Sequence, residues 1–382
     1  MAAAPEAAEA YGREAAQAHV LPVRRQIACT ARARRNAYMR LLYTHLSAHG
    51  VTSVAQERPQ AALSPGWLLR NRRRVGFIHF HWPHAIYSHR SGPTWLRLAV
   101  GSFKVAWFAT RLAIARRLDY RFVWTIHQAS PHDSRTPRFD RFVGRYLARR
   151  CDVLLAHDAA TVAEARRELG PVSDRIEIVP HGSYIGVYPP GRSRGEVRAE
   201  LGIEPNDFVL LAFGTIRPYK ELDVLLEAFA QSPRVGALVI AGNPVSDAVA
   251  REVEEAAAAD PRIKPLLGFV PDERVAELFA ACDAAVVSRG DGGTSGALIL
   301  ALSLGLPVVA ADTPLYRELT REFRAGWGFR PGQADSLAAA LRTASADAAG
   351  AYAKGRVALE IAEELRWDVI AGRTARLLLA VR

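Results

Sequence analysis

The chain has 382 residues, 49% of them hydrophobic and 23% charged, with a formal net charge of +11 and three cysteines. That length holds two α/β domains with a core each, and the composition excludes a disordered chain, a collagen-like fibre and a disulfide-stapled miniprotein. The charge is lopsided: 28 Lys and Arg stand against 13 Asp and Glu through Pro190, net +15, and 22 against 26 after it, net −4. The first half therefore suits an anionic partner, either a nucleic acid, an anionic membrane surface or a phosphate-bearing acceptor, with part of the charge simply solvated.

Met1–Ala18 is rich in Ala and Glu and lacks a basic region followed by an apolar core. It is expected to be a flexible extension over residues 1–20, not a secretory signal. Gln26–Thr30 then reads as a strand and Asn36–His49 as a helix, with Tyr38, Leu41, Leu42 and Leu46 at helical spacing. Val75–His81 is a strong apolar strand that Pro83 stops. Thr94–Leu118 is a long helix, followed by strand Arg121–His127, helix Arg138–Arg149, strand Asp152–Ala156, helix Thr161–Leu169 and strand Ile176–Val179. This βα alternation predicts a parallel sheet covered by helices on both faces. The stretch from Gly182 to Arg194, rich in Gly, Pro and Tyr and without periodicity, reads as a linker.

Beyond it the alternation restarts with strands Phe208–Phe213, Ala237–Ala241, Arg262–Leu267, Ala284–Val287 and Pro307–Ala310, and a short one near Gly326–Phe329. Helices Leu222–Ala230, Asp247–Ala258, Asp272–Ala280 and Ser295–Leu304 fall between them, and Asp335–Thr343 and Ala351–Val381 close the chain. Cys29, Cys151 and Cys282 lie apart in apolar contexts, as buried thiols of a reducing cytoplasm would.

Ligands of open parallel sheets bind beyond the carboxyl ends of the strands. In the first half those tips carry Arg34, Arg35, Asn36, His79, His81, Trp82, His127, Gln128, His132, Asp133 and His181. Each histidine also has a plainer reading as a hydrogen-bonded core residue. No Cys-rich or His-Glu-x-x-His spacing points to a metal. In the second half, the turn after Phe208–Phe213 carries Gly214, Arg217 and Lys220, a guanidinium fork and an ammonium that suit a pyrophosphate. The helix after Ala284–Val287 opens with Thr294, Ser295 and Gly296, small residues that let phosphate oxygens approach the backbone.

The order Gly214, Arg217, Lys220, then Gly268-Phe269-Val270-Pro271, then Thr294-Ser295-Gly296, then Gly305-Leu-Pro-Val-Val-Ala310 resembles the donor half of the family-four nucleotide-sugar glycosyltransferases of GT-B fold, over roughly Asp207 to Arg330. The resemblance implies two Rossmann-like domains facing a central cleft. Residues 21–188 would bind the acceptor, 189–366 the donor, and 367–382 would form a helix crossing back to the first domain. It implies a nucleoside-diphosphate sugar as co-substrate, no metal or other cofactor, and an acceptor that is a lipid-linked saccharide or a small natural product. Donor contacts would come from Gly214, Arg217, Lys220, Phe269, Val270, Asp291, Thr294, Ser295 and Gly296, and acceptor contacts from Asn36, His81, Trp82 and His181.

His127, in Val123-Trp-Thr-Ile-His127, is similar to the strand-then-His element that contacts the donor sugar in that family, and Asp133 or His127 would serve as general base. One departure stands out. The two Glu positions usual in retaining members fall on Gly292 and Leu300, with Asp291 beside the first, which favours inversion. A retaining transferase, a nucleotide-sugar epimerase and a non-catalytic binder remain alternatives, and nucleic acid is not expected as a partner because no recognition motif accompanies the charge. The segment Arg97–Arg117 interleaves Phe103, Trp107, Phe108 and Ile114 with cations, so it reads either as a helix packed on the sheet or as one lying in an anionic membrane interface. A cytoplasmic enzyme, peripheral on the inner face of the membrane, is the expected localisation.

Overall fold

A computed structural model describes residues 25–31, 36–54, 59–89, 91–128, 134–290 and 293–381. Its described strands form two six-stranded parallel sheets, ordered β2-β1-β3-β4-β5-β6 and β12-β11-β10-β7-β8-β9. The first comprises β1 (Gln26–Cys29), β2 (Thr52–Val54), β3 (Val75–Phe80), β4 (Arg121–Ile126), β5 (Val153–Ala156) and β6 (Ile176–Ile178). The second comprises β7 (Val209–Phe213), β8 (Ala237–Gly242), β9 (Ile263–Leu267), β10 (Ala284–Val287), β11 (Val308–Ala311) and β12 (Gly326–Phe329). The chain is thus α/β with two Rossmann-like halves of the GT-B plan. Central strands such as β3 and β8 are buried along their whole length because helices cover both faces, which is why they read as unbroken apolar runs.

Local signals set most boundaries. Asn36 caps the helix Ala37–Ala48 by accepting from the Met39 amide at 3.2 Å, and Tyr38, Met39, Leu42, Tyr43 and Leu46 form its buried face. Several short elements go beyond the sequence reading, among them the edge strand β2, the helix Pro65–Asn71, the helix His84–Tyr87 and the helix Arg194–Glu200. Each is too short to show a period. The last is nucleated by a capping box, in which Ser193 and Glu196 satisfy each other's backbone donors.

The chain end differs from the expected single helix Ala351–Val381. It forms two helices, Ala348–Glu364 and Trp367–Leu379, broken at Leu365 and Arg366. The linker satisfies the break: the Ser183 amide donates to the Leu365 carbonyl at 2.7 Å and Trp367 Nε1 donates to the Ser183 carbonyl at 2.6 Å. Beyond the break, Trp367, Ile370, Ala371, Ala375 and Leu378 share one apolar cluster with Met39, Leu42, Leu46 and Val123. The last helix is therefore part of the first half's core.

Each half also buries polar groups. In the second, Arg198 is 2% exposed and donates to the Asp283 carboxylate at 2.8 Å and to the carbonyls of Ala281, Pro205 and Asp207 at 2.9, 2.7 and 2.9 Å. Asp283 also accepts from the Val209 amide at 2.7 Å, so this pair fastens the helix Arg194–Glu200 to the start of β7.

Candidate active site

The carboxyl ends of both sheets face a cleft of about 1050 Å³. On the second-half wall, Gly214 follows β7 with φ of 96°, and a side chain at neighbouring Gly242 would sit 2.1 Å from the Gly214 carbonyl oxygen, so both strand tips need glycine to approach this closely. The turn then delivers Arg217 and Lys220 to the cleft, and Glu221 completes it in the left-handed region at φ 51°. Such a conformation in a non-glycine residue is held by its surroundings. Here the Glu221 carboxylate accepts from the Gly332 amide at 3.0 Å, and Ser288 donates to the Lys220 carbonyl.

Lys220 Nζ folds back to the Phe213 carbonyl at 3.4 Å. Burial, with the neighbouring charges of Arg289 and Arg217, pushes its pKa down to about 8. Arg289 follows β10, lies across Gly293 and donates to the Thr294 carbonyl at 3.2 Å. Ser295 caps the next helix, Gly296–Ser303, by accepting from the Leu298 amide. Three cations and a helix start thus share one wall, an arrangement matched to a diphosphate.

The first-half wall differs. His81, His127, His157 and His181 gather around Tyr38, whose ring stands edge-on to those of His81, His127 and His157 at centroid distances of 5.9, 5.3 and 5.2 Å, and His79 packs on Tyr43 and His81 beside them. A chain of hydrogen bonds links them. Tyr43 Oη bonds His79 Nδ1 at 2.9 Å and His81 Nε2 at 3.0 Å, His79 Nε2 bonds Thr125 Oγ1 at 2.9 Å, and His81 Nδ1 bonds His127 Nε2 at 3.0 Å. Burial holds His79 and His181 at about 3 and keeps His81, His127 and His157 below their ordinary value, with neighbouring histidines adding to it for His81, His127 and His181. The cluster is neutral at physiological pH. Trp82 stacks on His127 at 4.6 Å and 13° and presents its own face to the cleft.

Of the residues singled out in the sequence, Asn36, Trp82, Gln128, Gly214, Arg217, Lys220, Ser295 and Gly296 line the cleft. His81 and His181 are buried and do not, and half-buried His127 lies behind Trp82. Thr294 instead donates to Asp158, the capping residue of the helix Ala159–Leu169, and so ties the two halves together. Phe269 is 83% exposed, and neither it nor Val270 is among the residues facing the cleft. Arg34, Arg35, His132, Asp133, Asp291 and Gly292 lie outside the described residues. Among the described residues, no group of three or more His, Cys, Asp or Glu is placed to hold a metal ion.

Sequence reasoning missed Arg289 and Asp140, both of which line the cleft. Arg289 obeys the strand-tip rule that found Arg217 and could have been found by applying it to β10. Asp140 lies in the first turn of the helix Pro137–Ala148, where it reads as an ordinary acidic start; it is buried and accepts from Ser134 and, at 3.5 Å, from Thr136 Oγ1. Leu300, at one of the two positions where retaining enzymes of the resembled family carry Glu, faces the cleft with an apolar side chain.

The family model described as "Glycosyl transferases group 1" matches residues 193–356, and that described as "Glycosyltransferase Family 4" matches residues 100–183. The chain is 31% identical over 266 residues to a GDP-mannose:glycolipid 4-beta-D-mannosyltransferase of Xanthomonas campestris pv. campestris, covering 67% of each chain. It is 32% identical over 166 residues to a D-inositol 3-phosphate glycosyltransferase of Nocardia farcinica, covering 40% of this chain and 37% of that one. Among solved structures, Anabaena HepE in complex with UDP matches with a TM-score of 0.69 at 19% identity, over 93% of this chain and 99% of that one. Sucrose-phosphate synthase from Thermosynechococcus elongatus matches with the same TM-score and identity, over 94% and 100%. At these identities the structural likenesses establish the fold.

Proposed function

Because the chain belongs to the group 1, family-four glycosyltransferases of GT-B fold, we propose that this enzyme moves a sugar, with inversion, from a nucleoside diphosphate to a hydroxyl of a lipid-linked saccharide. The observation that carries this reading is the convergence of Arg217, Lys220 and Arg289 on one wall of the cleft. In the proposed step the acceptor oxygen bonds the anomeric carbon as the bond from that carbon to the diphosphate oxygen breaks. The electron pair leaves with the diphosphate, whose growing charge the three cations meet, and the acceptor proton passes to a carboxylate. Asp133, which follows β4 in the sequence, is that base. Trp82, stacked on His127, faces the sugar, and no metal takes part.

Two further points support inversion and the choice of substrates. Neither Gly292 nor Leu300 supplies the carboxylate usual in retaining relatives. The Xanthomonas relative is named for GDP-mannose, a glycolipid and a β-linked product, and a β product is what inversion yields from an α-configured sugar nucleotide. The helix Thr94–Arg117 suits a glycolipid acceptor. It is long and apolar enough to cross a membrane, yet Gly101, Phe108, Leu112 and Ala115 are buried against the first half while Trp95, Phe103 and Trp107 stay exposed. Arg111 lies over Trp107 at 4.8 Å. A helix of this kind rests in the interface of an anionic leaflet, which makes the enzyme peripheral on the cytoplasmic face.

The test supplies GDP-mannose or another sugar nucleotide together with anionic vesicles carrying a polyprenyl-diphosphate saccharide, and measures nucleoside diphosphate release and the anomeric configuration of the product. Release that depends on acceptor, with inverted configuration, is expected. Asp133→Asn should lower turnover by about 10² to 10⁴ with donor affinity intact. A product that keeps the donor configuration sinks the inverting mechanism, and failure to turn over any sugar nucleotide sinks the reading as a whole.

A further inference from the structure

The helix Thr94–Arg117 turns aromatic rings outward and a cation inward. Positions 97, 101, 104, 108, 112 and 115 recur every three or four residues and so share one face. Gly101, Phe108, Leu112 and Ala115 on that face are buried. Arg97 heads it and, with Gly101, lines the cleft. Trp95, Phe103 and Trp107 lie off that face and stay exposed.

An arginine at the head of an inward-facing stripe calls for an anion. Arg97 Nε is buried, and among the described residues it has no hydrogen-bond partner and Arg97 forms no ion pair. A buried N–H of a charged group left unbonded costs free energy that a bound anion returns. The neighbouring backbone is drawn in around it. A side chain on Gly101 would start 3.0 Å from the Phe139 ring and 3.8 Å from the Tyr87 carbonyl, so glycine lets the helices His84–Tyr87 and Pro137–Ala148 close on this turn. Lys104 Nζ donates to the Ser88 carbonyl at 3.1 Å and fixes the segment that brings Ser88 and His89 to the cleft. Arg135, just before the helix Pro137–Ala148, is exposed in the same cleft. Asp140 is the one carboxylate among the described residues that lines it, and that carboxylate accepts from Ser134 and Thr136.

The donor does not account for these cations, because its diphosphate has Arg217, Lys220 and Arg289 on the other half's wall. A second anion in the cleft belongs to the acceptor. It would lie about one helix diameter, roughly 10 to 12 Å, from the exposed rings. A diphosphate that joins a saccharide to an isoprenoid has this form, with tail, two phosphates and sugar in series.

We propose that Arg97 and Arg135 form a second anion site in the cleft, which holds the diphosphate of an isoprenoid-linked acceptor while the tail lies against Trp95, Phe103 and Trp107. This rests on the enzyme's being a transferase to a lipid-linked saccharide, as proposed above.

The experiment separates binding from turnover. Farnesyl diphosphate is titrated calorimetrically into the full chain with GDP or UDP already saturating the donor wall. It should bind with the nucleotide in place, and Arg97→Gln should weaken it about 10- to 100-fold, the worth of a lost hydrogen bond to a charged group, with nucleotide affinity within twofold. Arg97→Lys should recover part of the loss. Arg135→Gln, at an exposed position that leaves the helix intact, should weaken farnesyl diphosphate as well. In turnover, Arg97→Gln should cut the preference for a polyprenyl-diphosphate saccharide over the octyl glycoside of that saccharide, in kcat/KM, by the same 10- to 100-fold. Equal farnesyl diphosphate affinity in wild type, Arg97→Gln and Arg135→Gln overturns the proposal, as does competition between farnesyl diphosphate and the nucleotide. Inorganic pyrophosphate binding as tightly as farnesyl diphosphate overturns the lipid-linked assignment. Equal losses on the two acceptors would mark a structural role for Arg97 and overturn it too. Failure to turn over any sugar nucleotide, with farnesyl diphosphate binding as stated, would instead defeat the transferase reading and leave the anion site standing.

Discussion

The two halves share one architecture and bury polar groups in opposite ways. The second half buries Arg198, which cannot shed its charge, and answers it with the Asp283 carboxylate and backbone carbonyls. The first half buries His79, His81, His157 and His181, which can shed theirs, and holds them and His127 as neutral rings bonded to one another, to Tyr43 and Thr125, and to the Val179 and Gly182 carbonyls. The cleft walls repeat the contrast, with cations at the tips of the second sheet and neutral rings at those of the first. A permanent charge suits a site for an anion that is always charged; a neutral network suits a site where hydrogen-bond direction matters more than charge.

The largest expected effect breaks the charged side of this contrast. Arg198→Ala leaves the Ala281, Pro205 and Asp207 carbonyls facing a cavity without their donor, while Asp283 keeps Arg194 and the Val209 amide, and should destabilise the protein by about 3 to 5 kcal/mol, since each buried acceptor left unsatisfied costs roughly 1 to 3 kcal/mol. Denaturant unfolding followed by fluorescence measures it, and a midpoint within error of wild type would mean that water replaces the guanidinium. Arg289→Ala and Lys220→Ala come next, each weakening nucleoside diphosphate binding by about 1.5 to 3 kcal/mol while leaving phosphate-free nucleoside unaffected. Calorimetric titration decides this, and equal affinities in wild type and both variants would remove the cation wall from the mechanism.

Acid sharpens the neutral side. His79 and His181 titrate at about 3 when folded and near 6.5 when unfolded. The stability they confer is complete above about pH 6.5 and drains as pH falls from there toward 3, by about 1.4 kcal/mol per pH unit for each such histidine. Thermal unfolding from pH 8 to pH 4 should show this slope, and His181→Asn should make it shallower. The smallest effect returns to Lys220. A bound diphosphate favours its charged form, so affinity should fall a few-fold as pH rises through about 8, with proton uptake on binding near that pH. Isothermal titration in buffers of different ionisation heat reads the uptake directly, and its absence would place the diphosphate away from Lys220.

Much of the fold is legible in the residues. Unbroken apolar runs such as Ala237-Leu-Val-Ile-Ala241 can only be strands covered on both sides, and the caps at Asn36 and Ser295 start helices where the sequence places them. β2 escapes because three residues have no period, and the break at Leu365 escapes because both flanking segments favour helix. Within the site, Gly214, Arg217 and Lys220 are legible because one local turn carries them all.

What the sequence by itself determines is therefore local: two βα series, their turns, and the cationic turn after β7. Only the tertiary structure decided that Arg289 joins that turn, that Thr294 ties the halves together instead of facing the cleft, that Phe269 points away, and that Trp82 covers His127. These outcomes depend on which strand tips become neighbours, through the sheet orders and the way the last helix fastens to the first half. Strand order and domain closure are set by long-range packing that leaves no period in the chain, whereas a turn and its helix are set by residues that adjoin one another.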